Sequence, residues 1–265
     1  MWKIFARMWQ VNWAEQWQYR ANLLMYQFYS LVSPIVFLSV WRAVATSQGN
    51  VSGLTVNDFT TYYLVLLIVE NLTSEITIWV LAYKIQDGTL ASDLLRPVHP
   101  ILVNTLVNNL ASKMLNFLAL MPVWTILALL FRPDFSAIIP QNLLLGLPAI
   151  LMGFAINFLL GAIITCVAFW TTQVYSLSEF VFALVSLLGG MFVPLELLPA
   201  LARQAALLLP FQLYLYFPIQ LILGRLSLAQ VAWDFAMQGV WLVVLILIFQ
   251  WIWRAGLKQF SAVGA

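Results

Sequence analysis

Leu81–Pro100, LAYKIQDGTLASDLLRPVHP, is the stretch on which the reading of this chain turns. It holds Lys84, Asp87, Asp93, Arg96 and His99, the single histidine, and long apolar runs flank it on both sides. Unpaired charge in hydrocarbon costs about 2.5–3.5 kcal/mol per residue on the mildest insertion scale, so the segment belongs in water or against a soluble partner. Gly88 breaks it, and Arg96-Pro97 and His99-Pro100 end it. The residues between predict a short helix over Thr89–Leu95, with Thr89 as N-cap and Leu90, Leu94 and Leu95 on one side. Two readings stand together: a solvated loop, or a docking element for a cytoplasmic protein.

The flanking runs set the class. Hydrophobic residues make up 63% of the chain and charged residues 8%, with a mean hydropathy of +0.93. Soluble domains carry roughly 25% charge and at most about 50% apolar residues, so this is an all-α integral membrane protein. A net charge of +2 does not point to nucleic acid. Cys166 lies inside an apolar run and reads as a buried, inert thiol, since one cysteine makes neither an intrachain disulfide nor a metal cage. Met1–Arg20 lacks the apolar core and small-residue site of a cleaved signal peptide.

Residues 1–20 show helical periodicity. Trp2, Phe5, Trp9, Trp13 and Trp17 fall on one face, and Lys3, Arg7, Gln10 and Gln18 on another. This predicts an amphipathic helix in the membrane interface, or a helix packed on another subunit. Six spans are then expected, at roughly Leu23–Val44, Phe59–Leu81, Thr105–Phe131, Leu143–Trp170, Glu179–Val193 and Val231–Trp253. The second contains Glu70, Asn71, Thr73, Ser74 and Glu75. The third begins among Asn104, Asn108, Asn109 and Lys113. Gly146, Gly153 and Gly161 recur along the fourth and permit close packing. Residues 194–227 are apolar but cut by Pro194, Pro199, Pro210 and Pro218. Ala200–Leu209 is about half the ~20 residues a crossing needs, which predicts outer re-entrant helices between spans five and six.

Orientation follows from the 12 basic residues. Lys3, Arg7, Arg20, Lys84, Arg96, Lys113, Arg254 and Lys258 fall on one side, and Arg42, Arg132, Arg203 and Arg225 on the other. The richer side is cytoplasmic by the positive-inside rule, which places both termini and residues 81–100 there. The whole chain, 1–265, reads as one transmembrane domain with no internal repeat.

Catalytic patterns are absent from the sequence. One histidine and one cysteine, far apart, make no metal site, and no phosphate-cradling G-x-x-x-x-G-K-[ST] occurs. Glu70 and Glu75 stand about 140° apart on a helical wheel and do not form a facing pair. Glu70 reads as pathway lining or as a contact to a partner subunit. Glu75 reads the same way, or as a group near the cytoplasmic end, in water or paired with Lys84 or Lys113.

The order of these features resembles the membrane subunit of ABC transporters of the type-two permease family. Ile85-Gln86-Asp87-Gly88-Thr89-Leu90 followed by Asp93-Leu94-Leu95-Arg96-Pro97 carries the resemblance, with Phe192–Pro199, Leu209-Pro210-Phe211, Pro218 and Gly224. The likeness covers nearly the whole chain. It implies a half-transporter of the bacterial inner membrane, with ATP and magnesium held by separate ABC ATPase subunits and none in this chain. A second permease copy or a homologue would complete the pathway. Residues 81–100 would then hold a cytoplasmic coupling helix, with Asp87, Gly88, Leu90, Asp93, Leu94, Leu95 and Arg96 as ATPase-coupling positions. Leu94 and Leu95 would fill a pocket on the ATPase, Arg96 would pair at its rim, and the charged tips Asp87, Asp93 and Arg96 would set register. Glu70, Asn71 and Ser74 would line the pathway, and Gly189, Gly190 and Glu196 would form an outer gate or a structural plug. The competing functions are a stand-alone secondary transporter or channel and, more remotely, an intramembrane enzyme, which lacks a nucleophile, base or metal ligands.

Overall fold

The computed structural model describes residues 2–260, and these are helical almost throughout. α1 (Trp2–Gln18) and α2 (Arg20–Gln48) meet at Tyr19. α3 (Val56–Thr73) starts on a capping box in which the Thr55 hydroxyl accepts from the Asp58 N–H and the Asp58 carboxylate accepts from Thr55. α4 (Thr77–Gln86) and the five-residue α5 (Leu90–Leu94) follow. A π-helical turn, Leu102–Leu106, leads into α6 (Val107–Phe131). α7 (Pro140–Cys166) opens with Pro140 in its first turn and ends in a 3₁₀ turn, Val167–Phe169. α8 (Val174–Leu188) is followed by three short helices, α9 (Ala200–Leu208), α10 (Phe211–Tyr214) and α11 (Tyr216–Ile222). α12 (Leu228–Gln259) begins on a second capping box, between Ser227 and Gln230.

Five stretches are long and apolar enough to cross a bilayer: Gln27–Gln48, Val56–Gln86, Val107–Phe131, Pro140–Phe169 and Leu228–Gln259. The protein is therefore a multi-pass membrane protein. α8 begins five residues before the expected fifth span and stops at Gly189. Its 15 residues reach about 22 Å, short of a hydrocarbon core of about 30 Å.

Contacts sort the connections into two ends. At one end Arg225 pairs with Asp58 at 2.5 Å, and the Thr61 hydroxyl donates to the Asp134 carbonyl at 3.3 Å. At the other, Gln86 Nε2 donates to the Thr172 carbonyl at 3.3 Å, and His99 lies 4.8 Å from the Trp253 ring. Burial pushes the His99 imidazole below its ordinary pKa.

α7 is the central element and touches α3, α4, α8, α10, α11 and α12. The glycine spacing seen in the sequence supplies the reason. A Cβ at Gly146 would meet Ile222 at 2.8 Å, one at Gly153 would meet the Tyr214 backbone at 3.0 Å, and one at Gly161 would strike the Glu75 carboxylate. Three partners thus lie flush on one helix. α1 packs along α6 rather than standing apart. Of its expected tryptophan face, Trp9 and Trp13 are half-buried and Trp17 is exposed, while the side chains of Trp2 and Phe5 lie outside the described residues.

Candidate functional site

The second span is not one rod. α3 ends at Thr73 and α4 begins at Thr77, with Ser74 extended (φ −57°, ψ 157°) between them. No proline or glycine lies at this break. Severing a helix inside a membrane frees carbonyls on one half and N–H groups on the other, and each left unmet costs several kcal/mol. Here side chains of neighbouring helices meet them. Lys113 of α6 donates to the carbonyl of Asn71 at 3.2 Å, to the Ser74 hydroxyl at 3.3 Å and to the Ser74 carbonyl. Asn157 of α7 donates to the Thr73 carbonyl at 3.0 Å. On the lower half, the Ile76 N–H donates to Asn109 Oδ1 at 3.0 Å and the Thr77 N–H to Glu75 Oε2 at 2.5 Å.

The charges are placed where the half-helices favour them. The Lys113 ammonium caps the negative end of α3, and the Glu75 carboxylate sits at the positive end of α4. Lys113 is buried and also lies 4.9 Å from the Phe154 ring centroid. It feels the fields of both Glu70 and Glu75. Gly161 leaves the space that the Glu75 carboxylate fills. Asn71 is buried at the same joint with its amide oxygen unpartnered among the described residues. Glu70, Asn71 and Ser74 are thus gathered at one polar break. The second span, expected at Phe59–Leu81, is present within Val56–Gln86 but interrupted here, and Glu75 is held at the break and not in water.

Sequence reasoning did not single out Asn109, Asn157 or Gly161 for this joint, and it gave Lys113 only as an alternative partner of Glu75. The signal was present as spacing. Asn109 and Lys113 stand four apart, as do Asn157 and Gly161, so each pair offers one helix face to the break.

Below the break, α4 carries the wet segment as a fixed attachment. Leu90 is fully buried among Ile78, Leu81, Ala82 and Ile85. Asp93, 2% exposed, pairs with Lys84 of α4 at 2.7 Å and with Arg96 at 3.5 Å. The turn between α4 and α5 uses Gly88 at φ +81°, a conformation that strains other residues. Asp87 accepts from the Thr89 hydroxyl at 2.7 Å and its N–H at 2.9 Å, which holds the Asp87 carboxyl below its usual pKa. Thr89 holds the expected N-cap position of α5, but its hydroxyl donates to Asp87 and makes no capping hydrogen bond. Two other expectations change here. Leu90, Leu94 and Leu95 do not share a side: Leu90 points into the core while Leu95 is 89% exposed. Asp93 is likewise an internal clamp and not an exposed tip.

Gly189, Gly190 and Glu196 lie at the opposite end and do not join this site. The Gly190 carbonyl accepts from Tyr62 at 2.7 Å, and the Phe192 carbonyl accepts from Trp41 and Tyr63, each at 3.0 Å. Gly190 has φ +89°, and a Cβ there would meet the Tyr62 hydroxyl at 2.7 Å. Glu196 folds back to accept from Gln220 at 2.7 Å. Residues 189–198 are therefore strapped to α2 and α3 by three aromatic donors.

A family model described as ABC-2 family transporter protein matches residues 31–264. No curated protein matches the chain.

Proposed function

This chain belongs to the ABC-2 transporter family, and from that premise we propose that it is the membrane half of an ATP-driven exporter working with a separate ATPase. Two permeases, identical or paired with a homologue, enclose the pathway in this reading. Six crossings, with α8 as a short fifth, put both termini and the wet segment in the cytoplasm. The helices of residues 194–227 dip into the outer leaflet and return. The observation that carries the proposal is the pairing of a clamp with a break. α5 is fastened to α4 through Asp93–Lys84 and buried Leu90, while α4 is cut from α3 at Ser74–Ile76. A displacement applied at α5 therefore moves α4 as one body and is taken up at a polar joint.

Exposed Leu95, the partly exposed Leu94 and the Arg96 guanidinium form the face left for the ATPase. Replacing all three by alanine is expected to reduce stimulation of the co-purified ATPase by about tenfold, the effect of losing roughly 1.4 kcal/mol at a docking hot spot. Full stimulation by that variant would remove the docking role. Glu70, half-buried one turn above the break, is the lining group in this scheme. Glu70→Gln is expected to slow export several-fold while the complex still assembles, and wild-type export would take Glu70 out of the pathway.

The severed span also supports a second reading, because stand-alone secondary transporters build sites on broken helices at mid-membrane. Purified chain in vesicles distinguishes them: the exporter moves cargo only with ATP and its ATPase, and the secondary transporter moves it on an ion gradient alone.

A further inference from the structure

The last turns of α12 divide into two faces. Phe249, Trp253 and Gly256 face inward, with Trp253 packed 5.6 Å from the Phe169 ring and 4.8 Å from His99. The opposite face, Leu247, Gln250, Trp251, Arg254, Ala255 and Lys258, lines a cleft of about 350 Å³. Trp251 is 72% exposed there. Among the described residues neither Arg254 nor Lys258 has an acidic partner within salt-bridge distance.

The order of these groups along the axis is informative. Leu247 to Lys258 covers about 16 Å at 1.5 Å per residue. Moving toward the helix end the lining changes from aliphatic to indole and amide, then to guanidinium, then to ammonium. That sequence matches, level by level, an acyl chain, a glycerol backbone and a phosphate at the edge of a bilayer. A soluble partner would not need the deeper leucine and indole.

We propose that this face of α12 is a binding site for one anionic glycerophospholipid, its phosphate held by Arg254 and Lys258 and its glycerol region laid against Gln250 and Trp251. The site is separate from the break and from the wet segment, and it stands whether or not the export reading does.

The test uses the full chain purified in detergent and offered equal amounts of phosphatidylglycerol and phosphatidylcholine, with retained lipid counted by native mass spectrometry. The wild-type chain is expected to keep phosphatidylglycerol in preference. Arg254→Gln/Lys258→Gln is expected to reduce that preference by about thirtyfold, in line with the removal of two cations from the membrane surface. Arg203→Gln, an exposed basic residue outside the cleft, serves as control and is expected to keep it. Because Arg254 and Lys258 are exposed, the double variant is expected to melt like wild type, which separates a binding defect from a folding defect. Equal retention of the two lipids by the wild type, or an unchanged preference in the double variant, overturns the proposal. So does a double variant that keeps the lipid preference but no longer co-purifies with an ATPase, since the face would then belong to a protein partner.

Discussion

Lys113→Met is expected to lower the melting temperature of the detergent-solubilised chain by several degrees and to cut export by at least about tenfold. Its ammonium is the only side-chain donor to the Ser74 carbonyl among the described residues at the break; it shares the Asn71 carbonyl with the Ser74 hydroxyl and also holds that hydroxyl. Methionine keeps most of the apolar stem but loses the ammonium over Phe154 and leaves the Ser74 carbonyl without a donor. Unsatisfied buried acceptors cost about 1–3 kcal/mol each, and removing one charge from a buried cluster costs about 3–5 kcal/mol. Relief of burying an ammonium offsets part of this, so a net loss of about 3 kcal/mol is expected. Lys113→Arg keeps the charge and is the informative companion, expected to melt closer to wild type. A Lys113→Met chain that melts and exports normally would mean that the break is held without Lys113, by Asn109, Asn157 and the Ser74 and Glu75 side chains.

The second large effect is expected at Asp93. Asp93→Asn keeps the shape of the side chain but removes the charge that Lys84 and Arg96 share. Because Asp93 is buried and Lys84 largely so, the clamp is worth more than a surface pair, on the order of 1–3 kcal/mol of local stability. Its loss frees α5 from α4 without touching the exposed face at Leu94 and Leu95. In the proposed exporter the expected result is an ATPase still stimulated by the permease and a severalfold higher ATP consumption per molecule exported. Hydrogen exchange at the amides of Ala91–Leu94 is expected to quicken in the same variant. Unchanged exchange together with unchanged coupling would show that buried Leu90 holds α5 by itself.

Much of this architecture was legible before any coordinates. Composition made the chain a membrane protein, and the isolated charges of Leu81–Pro100 marked where it leaves the apolar phase. The glycines at 146, 153 and 161 announced the helix that others press against. The break in the second span was not legible, for a physical reason. Ser74 and Glu75 are tolerated in helices, so nothing local stops α3 there. The stop is made by partners far along the chain, Asn109, Lys113 and Asn157, and a single segment's periodicity does not contain them. The inward turn of Asp93 is a similar case. A five-residue helix has too few positions to fix its own register, so Lys84 and the pocket around Leu90 decide which way its acid points. The fifth span is the weakest of the expected crossings, since α8 alone is too short to cover the core.

The strap at Gly190–Phe192 and the foot at α5 have one more consequence when taken together. Tyr62 and Tyr63, which grip the strap, belong to the upper half of the severed helix, whereas Lys84, which grips the foot, belongs to the lower half. On an unbroken rod, cover and foot would swing as a see-saw, each tilt below forcing an equal and simultaneous tilt above. With the rod cut, the strap and the foot hang on separate helices, and the lysine at the cut is what ties one half to the other.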